Sequence, residues 1–257
     1  MKLAAITLSA QGLKIAGILK KHIPAMDIYV HKDVRIIRGC LRFAAVMDLV
    51  AEIFERYDGL IFVAPCGVAV RAIAPHLRNK KKDPGVVVVD VLARYAVSVA
   101  GGHEGGANDL ALRVSNILGA EPVISTTTEA VKTIIVGVGC RRNAKARSII
   151  KAVNAALGMA GQKAGNVRYL ASADIKRNEK GLIKAAGILR MPLRFIASAE
   201  IRNTRLDFKS SEFVREKTGL PAVAEPAALL AGRRTKLLLP RQVIESVTVA
   251  VAQESSL

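Results

Sequence analysis

Residues 98–109, SVAGGHEGGAND, gather four glycines, one histidine, two acids and an asparagine. Paired glycines let a backbone take positive φ and approach a ligand closely. Tyr95–Val99 before them reads as a strand and Asn108–Leu118 after them as a helix. That helix would turn free N–H groups and the positive end of its dipole toward the turn, which suits an anion. The chemistry on offer is a cradle built from Gly102, Gly105, Gly106 and Ala107, with His103 displayed between the glycine pairs for proton transfer near neutral pH. The competing reading is a glycine-rich turn with a surface histidine. Two other strand ends carry polar or glycine-rich turns. Gly59–Val63 runs into APCGVAVRAIAP, with Gly67 in the turn and Arg71 one helical turn on. Pro122–Ile124 runs into STTTEA, with Thr126, Thr127 and Glu129. Ligands of open α/β sheets bind beyond the carboxyl ends of strands, so three such ends in one sheet are expected to converge on one cleft.

The elements that must position these residues alternate along the chain. Lys2–Leu8 reads as a buried strand, Ser9 as the cap of a helix over Gln11–Lys21, and Asp27–Val30 as a second strand. Val34–Phe43 mixes basic and apolar residues without a clear period. Met47, Val50, Ile53 and Phe54 fall at helical spacing. Four consecutive valines at Val86–Val89 predict a strand buried on both faces. A second α/β pattern begins at Ile134–Gly139, followed by a GVGCRRNA turn and a helix over Ala144–Leu157. It continues with strands at Val167–Ser172 and Leu193–Ile196, Ser198 as a helix cap, and a helix over Ser211–Thr218. A short strand at Ala222–Ala224, a helix opened by Glu225-Pro226, and closing strands at Lys236–Leu239 and Val247–Ala252 complete it. The expected fold class is α/β: two consecutive α/β domains, 1–131 and 132–257, each a mixed or mainly parallel sheet flanked by helices.

Composition narrows the class. Of 257 residues, 51% are hydrophobic but only 4% aromatic, with no Trp. That favours an aliphatic core and opposes a nucleic-acid binder that stacks bases on rings. No apolar run is long enough to span a membrane. The N-terminus reads as the first strand of a mature cytoplasmic protein rather than a signal peptide. Three cysteines, Cys40, Cys66 and Cys140, with no CxxC pair, indicate neither a disulfide framework nor a zinc site. Net charge is +18 and uneven: residues 1–131 carry 16 Lys/Arg against 12 Asp/Glu, and residues 132–257 carry 23 against 9. A basic second half suggests a polyanionic partner.

Taken together, the motifs resemble the cobalt-precorrin-5A hydrolase family of cobalamin biosynthesis (CbiG). The first half carries CGVAVRAIAPHLRNKKKDPGVVVVD, SVAGGHEGGANDLA and PVISTTTE; the second carries VGVGCRRN, ASADIKRNEKGL and TGLPAVAEPAALLAG. The likeness spans nearly the whole chain, in a short form lacking a middle region between the two domains. Glu104 stands where the family usually shows an apolar residue, so no catalytic role is carried onto it. The resemblance implies opening of the ring A acetate δ-lactone of cobalt-precorrin-5A, release of acetaldehyde and formation of cobalt-precorrin-5B. It implies no cofactor of the protein's own, because the cobalt travels in the substrate. Partners would be this polyanionic tetrapyrrole and other enzymes of the pathway, with no nucleic acid and no membrane. A non-catalytic carrier of corrinoid intermediates is the alternative that the missing region leaves open.

Lactone opening needs proton transfer and a stabilised oxyanion. His103 and Glu129 are the candidate acid/base groups. Gly67, Gly102, Gly105, Gly106, Thr126 and Thr127 are candidate backbone or hydroxyl contacts to substrate. Asn108 is a candidate donor or a helix cap, and TTTE equally resembles a capping box. Arg71, Arg141, Arg142 and Lys176 are candidate carboxylate clamps. Glu225 is placed at the substrate or, as a helix-start carboxylate, in a structural role.

Overall fold

A computed structural model describes residues 1–35 and 39–255 of the chain, apart from the side chain of Phe213. The chain divides into two compact units, Met1–Thr126 and Thr127–Leu257. Both are α/β, as the alternation of apolar runs and helical patterns predicts.

The first unit begins β1 (Leu3–Thr7), α1 (Ala10–His22), β2 (Asp27–His31) and β3 (Leu41–Phe43). The Ser9 hydroxyl caps α1 by accepting the Gly12 N–H at 3.1 Å. β3 closes the stretch Val34–Phe43, whose residues 36–38 lie outside the described ones. Next come α2 (Val46–Ile53) with a 3-10 turn at Phe54–Arg56, β4 (Gly59–Val63), α3 (Cys66–Ile73) and β5 (Gly85–Val89). β6 (Tyr95–Ala100), α4 (Ala107–Leu118) and β7 (Glu121–Val123) complete the unit. In α2 the buried stripe is Leu49, Val50 and Ile53, while Met47 is exposed.

The seven strands lie in the order β3-β2-β1-β4-β5-β6-β7. β1 to β5 are parallel; β6 runs antiparallel to β5, and β7 parallel to β6. One face packs Leu13, Ala16 and Leu19 of α1 and Leu110, Ala111 and Val114 of α4 against the sheet; the other packs α2 and α3. The valines of β5 are buried throughout, as a strand covered on both faces must be.

The reversal into β6 is held by Asp90. Its carboxylate accepts the N–H groups of Arg94 at 2.7 Å and Tyr95 at 2.9 Å, and the Arg94 guanidinium at 3.0 Å. Burial pushes this carboxyl up, but the hydrogen bonds from Tyr95, Arg94 and Leu92 outweigh it and hold the group below its ordinary value. A depressed carboxyl contributes stability above its unfolded pKa and loses it as pH falls through the folded one. Asp90→Asn is therefore expected to lower stability near neutrality and to flatten the acid limb below about pH 4. Urea unfolding at several pH values checks this; a mutant curve parallel to the native one would refute it.

The second unit contains α5 (Thr127–Ala130), β8 (Ile134–Cys140), α6 (Ala146–Met159), β9 (Val167–Ala173), α7 (Lys180–Leu189) and β10 (Leu193–Ile196). It continues with α8 (Ser198–Asn203), α9 (Glu212–Thr218), α10 (Ala224–Leu230), β11 (Thr235–Ile244) and β12 (Val247–Glu254). The sheet order is β10-β9-β8-β12-β11, with β8, β9 and β10 parallel and the β11–β12 hairpin antiparallel to β8. The last strand ends beside the first: Glu254 donates its N–H to the Thr133 carbonyl at 2.8 Å.

One face of β8 carries Ile134, Val136 and Val138 into a core with α6 and α7. The other presents Gly137, flanked in register by Ala171 and Ala250. This flat row lets α10 lie on the sheet, with Ala224, Ala227 and Ala228 buried. The glycines of GVGC lie in the strand, as its expected span Ile134–Gly139 has them, and the strand runs one residue further, to Cys140, before the turn begins. Two expectations are corrected. Ala222–Ala224 is the entry to α10 rather than a strand, and Ala197, not Ser198, caps α8. The Ser198 hydroxyl instead donates to Asp174 Oδ1.

Candidate functional site

The glycine loop of the first unit is closed by its own backbone. Gly101 and Gly106 take φ of +70° and +78°, a conformation that glycine adopts without a steric penalty. The Gly101 and Gly102 carbonyls accept the N–H groups of Ala107 and Asn108 at 3.2 and 3.0 Å. A Cβ on Gly105 would stand 2.8 Å from the Gly101 oxygen and 3.0 Å from the Asp83 oxygen. One on Gly102 would meet the Thr126 methyl at 2.6 Å. These glycines are needed for close packing, and the Ala107 N–H expected at an oxyanion is already used. Gly106, not Asn108, is the helix cap. Asn108 is buried and braces the turn: its Oδ1 accepts the Ser98 hydroxyl at 2.9 Å, and its Nδ2 donates to Thr126 Oγ1 at 2.9 Å. His103 and Glu104 stay exposed at the tip, with Glu104 at 3.4 Å from Lys80. Beside them opens a cavity of about 510 Å³ whose lining includes Tyr57, Asp58, Arg78, Lys82, Asp83 and Glu104.

The expected convergence of three strand ends does not occur. β6 and β7 run opposite to β4, so the loops after them leave from the other edge of the sheet. His103, Asn108 and Thr126 therefore share one edge, with the starts of β4 and β5. Cys66, Gly67 and Arg71, all exposed, sit at the opposite edge. The Asp90 turn is the physical reason, because it reverses the chain where a crossover helix would have kept it parallel.

In the second unit the parallel strands do bring predicted residues together. β8 delivers Arg141 and Arg142, and its neighbour β9 delivers Lys176, to one edge of the sheet. The two loops are tied by Glu179, which is buried. Its Oε2 accepts the Asn143 N–H at 3.2 Å and lies 4.0 Å from Lys176 Nζ. Asp174 and Ser198 tie the β9 loop to the start of α8 in turn. At Cys140, the last residue of β8, burial pushes the thiol up, Lys176 pulls it down and Glu179 pushes it up, with burial dominant. Arg141 and Arg142 are exposed, and Lys176 is largely buried. Cations on two adjacent loops, with one acid fixing their spacing, form a surface suited to carboxylates.

Thr127 and Glu129 belong to α5, before β8, away from that edge. The Glu129 carboxylate is held by Lys132 at 2.8 Å. Glu225 is 1% exposed and accepts the N–H groups of Lys209 at 2.8 Å and Arg241 at 2.7 Å. Both carboxylate oxygens are thus taken by main-chain donors, which favours the helix-start role over contact with a substrate. Asn143, Asp174, Arg177 and Glu179 were not singled out from sequence, although all lie within the RRN and DIKRNE runs. Among the described residues no group of three or more His, Cys, Asp or Glu side chains is placed to hold a metal ion, and no helix is long and apolar enough to cross a membrane.

Residues 48–129 match the family model described as cobalamin synthesis G N-terminal, and residues 134–252 the one described as cobalamin synthesis G C-terminus. The chain is 30% identical to a cobalt-precorrin-5A hydrolase of Priestia megaterium over 72% of its own length and 47% of that protein's. It is 24% identical to the Salmonella typhimurium protein of the same name, over 70% of this chain and 77% of that one. It is also 35% identical to protein CobE of a Sinorhizobium species, over 51% of this chain and 86% of that one. The match thus spans about half the length of the Priestia relative.

Proposed function

The chain belongs to the cobalamin synthesis G family, and from that premise we propose that it hydrolyses the ring A acetate δ-lactone of cobalt-precorrin-5A. The observation that carries this reading is the basic edge of the second unit, where Arg141, Arg142 and Lys176 stand on adjacent strand ends. A tetrapyrrole bearing several acetates and propionates is a polyanion, and clustered cations both attract and orient such a ligand. The relatives named for this hydrolase point to the same substrate.

In the proposed reaction water adds to the lactone carbonyl and opens the ring. The freed hydroxyl then loses its proton and becomes a carbonyl, while the carbon–carbon bond to the macrocycle breaks. The two-carbon fragment leaves as acetaldehyde, and the macrocycle keeps the bonding electron pair. Cobalt enters and leaves as part of the substrate. His103, exposed at the tip of its loop, is the group assigned to move the proton.

Anaerobic incubation of the purified chain with cobalt-precorrin-5A is expected to release one acetaldehyde per substrate. His103→Ala should slow that release by about tenfold or more while leaving substrate affinity nearly unchanged. Tight binding without acetaldehyde would identify a carrier instead. Full activity in His103→Ala would remove the histidine from the mechanism.

A further inference from the structure

The loop after β9 holds a polar group that the folded chain leaves unanswered. Arg177 follows the 3-10 turn Asp174–Lys176, with its backbone N–H donated to the Asp174 carbonyl at 3.0 Å. Its Nε is buried and has no hydrogen-bond partner, and it is the one buried side-chain nitrogen or oxygen so left among the described residues. A guanidinium carries donors and no acceptor, so only an acceptor can answer it. Leaving such a donor dry and unpaired is costly, and folded proteins rarely do so without a reason.

The acids nearest in the chain are already engaged. Asp174 accepts from Ser198, and Glu179 holds the Asn143 N–H and faces Lys176. Around them the charge is positive, from Lys176 in the same loop and from Arg141 and Arg142 at the end of the adjacent strand. The Nε–H and one terminal N–H of a guanidinium form a side-on fork that matches the two oxygens of a carboxylate.

We propose that Arg177, half-buried as a residue, turns its guanidinium out of the loop and receives a carboxylate of the bound ligand through Nε and one terminal nitrogen, as an anchoring subsite at the basic edge of the second unit. This rests on the reading of that edge as the seat of a polycarboxylate, and it adds a residue whose own bonding is incomplete until ligand arrives. Arg177 is then a binding residue, exchanging a dry donor for a paired one when the carboxylate arrives.

The test is fluorescence titration of the full chain with uroporphyrin III, a tetrapyrrole with acetate and propionate arms, together with melting of the ligand-free proteins. Arg177→Gln should weaken binding roughly tenfold or more, and Arg177→Lys should restore only part of it, since an ammonium lacks the fork. Lys184→Gln, which removes the same charge from the exposed side of α7, should stay within about twofold of the native chain. The ligand-free Arg177→Gln protein should melt no lower than the native one, because the side chain it loses had an unpaired donor. Unchanged affinity in Arg177→Gln overturns the proposal. So does an equal loss in Lys184→Gln, a lowered ligand-free melting point that accounts for the weaker binding, or a native chain that does not bind the porphyrin. Failure to release acetaldehyde would sink the hydrolase reading and leave this one standing.

Discussion

Gly137→Ala is expected to unfold the second unit under conditions where the native chain is folded. A Cβ at this position would lie 1.9 Å from the Ala224 carbonyl oxygen, 2.8 Å from its carbon and 2.9 Å from the Ala228 methyl. The obstacle is the backbone at the start of α10, which cannot swing aside as a side chain can. β8 cannot yield either, because it is paired on both edges, to β9 and β12. Relief requires lifting α10, which exposes Ala224, Ala227, Ala228 and Leu229, all now buried. Overpacking a core ordinarily costs about 1–3 kcal/mol. With main chain as the obstacle, about 3–5 kcal/mol is expected, a large share of a typical domain's 5–15. Gly158, late in α6, is the control: nothing lies within 4 Å of its would-be Cβ, so Gly158→Ala should gain roughly 0.5 kcal/mol. Urea unfolding of both variants decides the matter. A Gly137→Ala protein within 1 kcal/mol of the native one, a bound set from ordinary overpacking, would mean that α10 does not rest on β8 as described.

Glu225→Ala is the second large effect. The strand register slips between Leu239 and Gln242, leaving Pro240 and Arg241 out of the β11–β12 ladder. One oxygen of Glu225 takes the Arg241 N–H released there, and the other takes the Lys209 N–H from the segment before α9. The carboxylate also sits in the first turn of α10, where the helix dipole favours negative charge. Alanine would strand two partly buried donors and leave a void where the 1%-exposed side chain stood, for an expected loss of about 2–4 kcal/mol. Glutamine would keep the shape and one acceptor but set an NH₂ against an N–H, so it should recover less than half. Limited trypsin digestion reads the local consequence: cleavage after Lys209 and Arg241 should precede any other new cut in Glu225→Ala. A native melting curve with no new cleavage would remove the clamp from the account.

Much of this architecture is written in periodicity. Four adjacent valines announce a doubly covered strand, and a serine before an apolar helix pattern announces its cap. What periodicity lacks is direction. Nothing in DVLARY distinguishes a tight reversal from a loop into a parallel strand, since the turn is made by Ala93 at φ 55° and by the Asp90 side chain rather than by an Asn-Gly pair. That missing direction decides whether Arg71 and His103 share a cleft, and the antiparallel β6 separates them. Glycine is ambiguous in a second way. In GVGC it marks a surface cleared for a helix, and a sequence shows the absence of a side chain without showing what occupies its space. That Arg141, Arg142 and Lys176 share one edge of the sheet is legible because consecutive βα units place their loops on the same side. Arg177 and Glu179 are not, because within IKRNEK every residue is polar, and only packing reveals which one is buried.

The bond between Thr133 and Glu254 carries a consequence for how such a unit can travel. Its first and last strands end side by side, so the two ends of the stretch emerge at a single point. A module whose leads share one socket can be joined to another fold, excised from it or reconnected in a different order without stretching either connection.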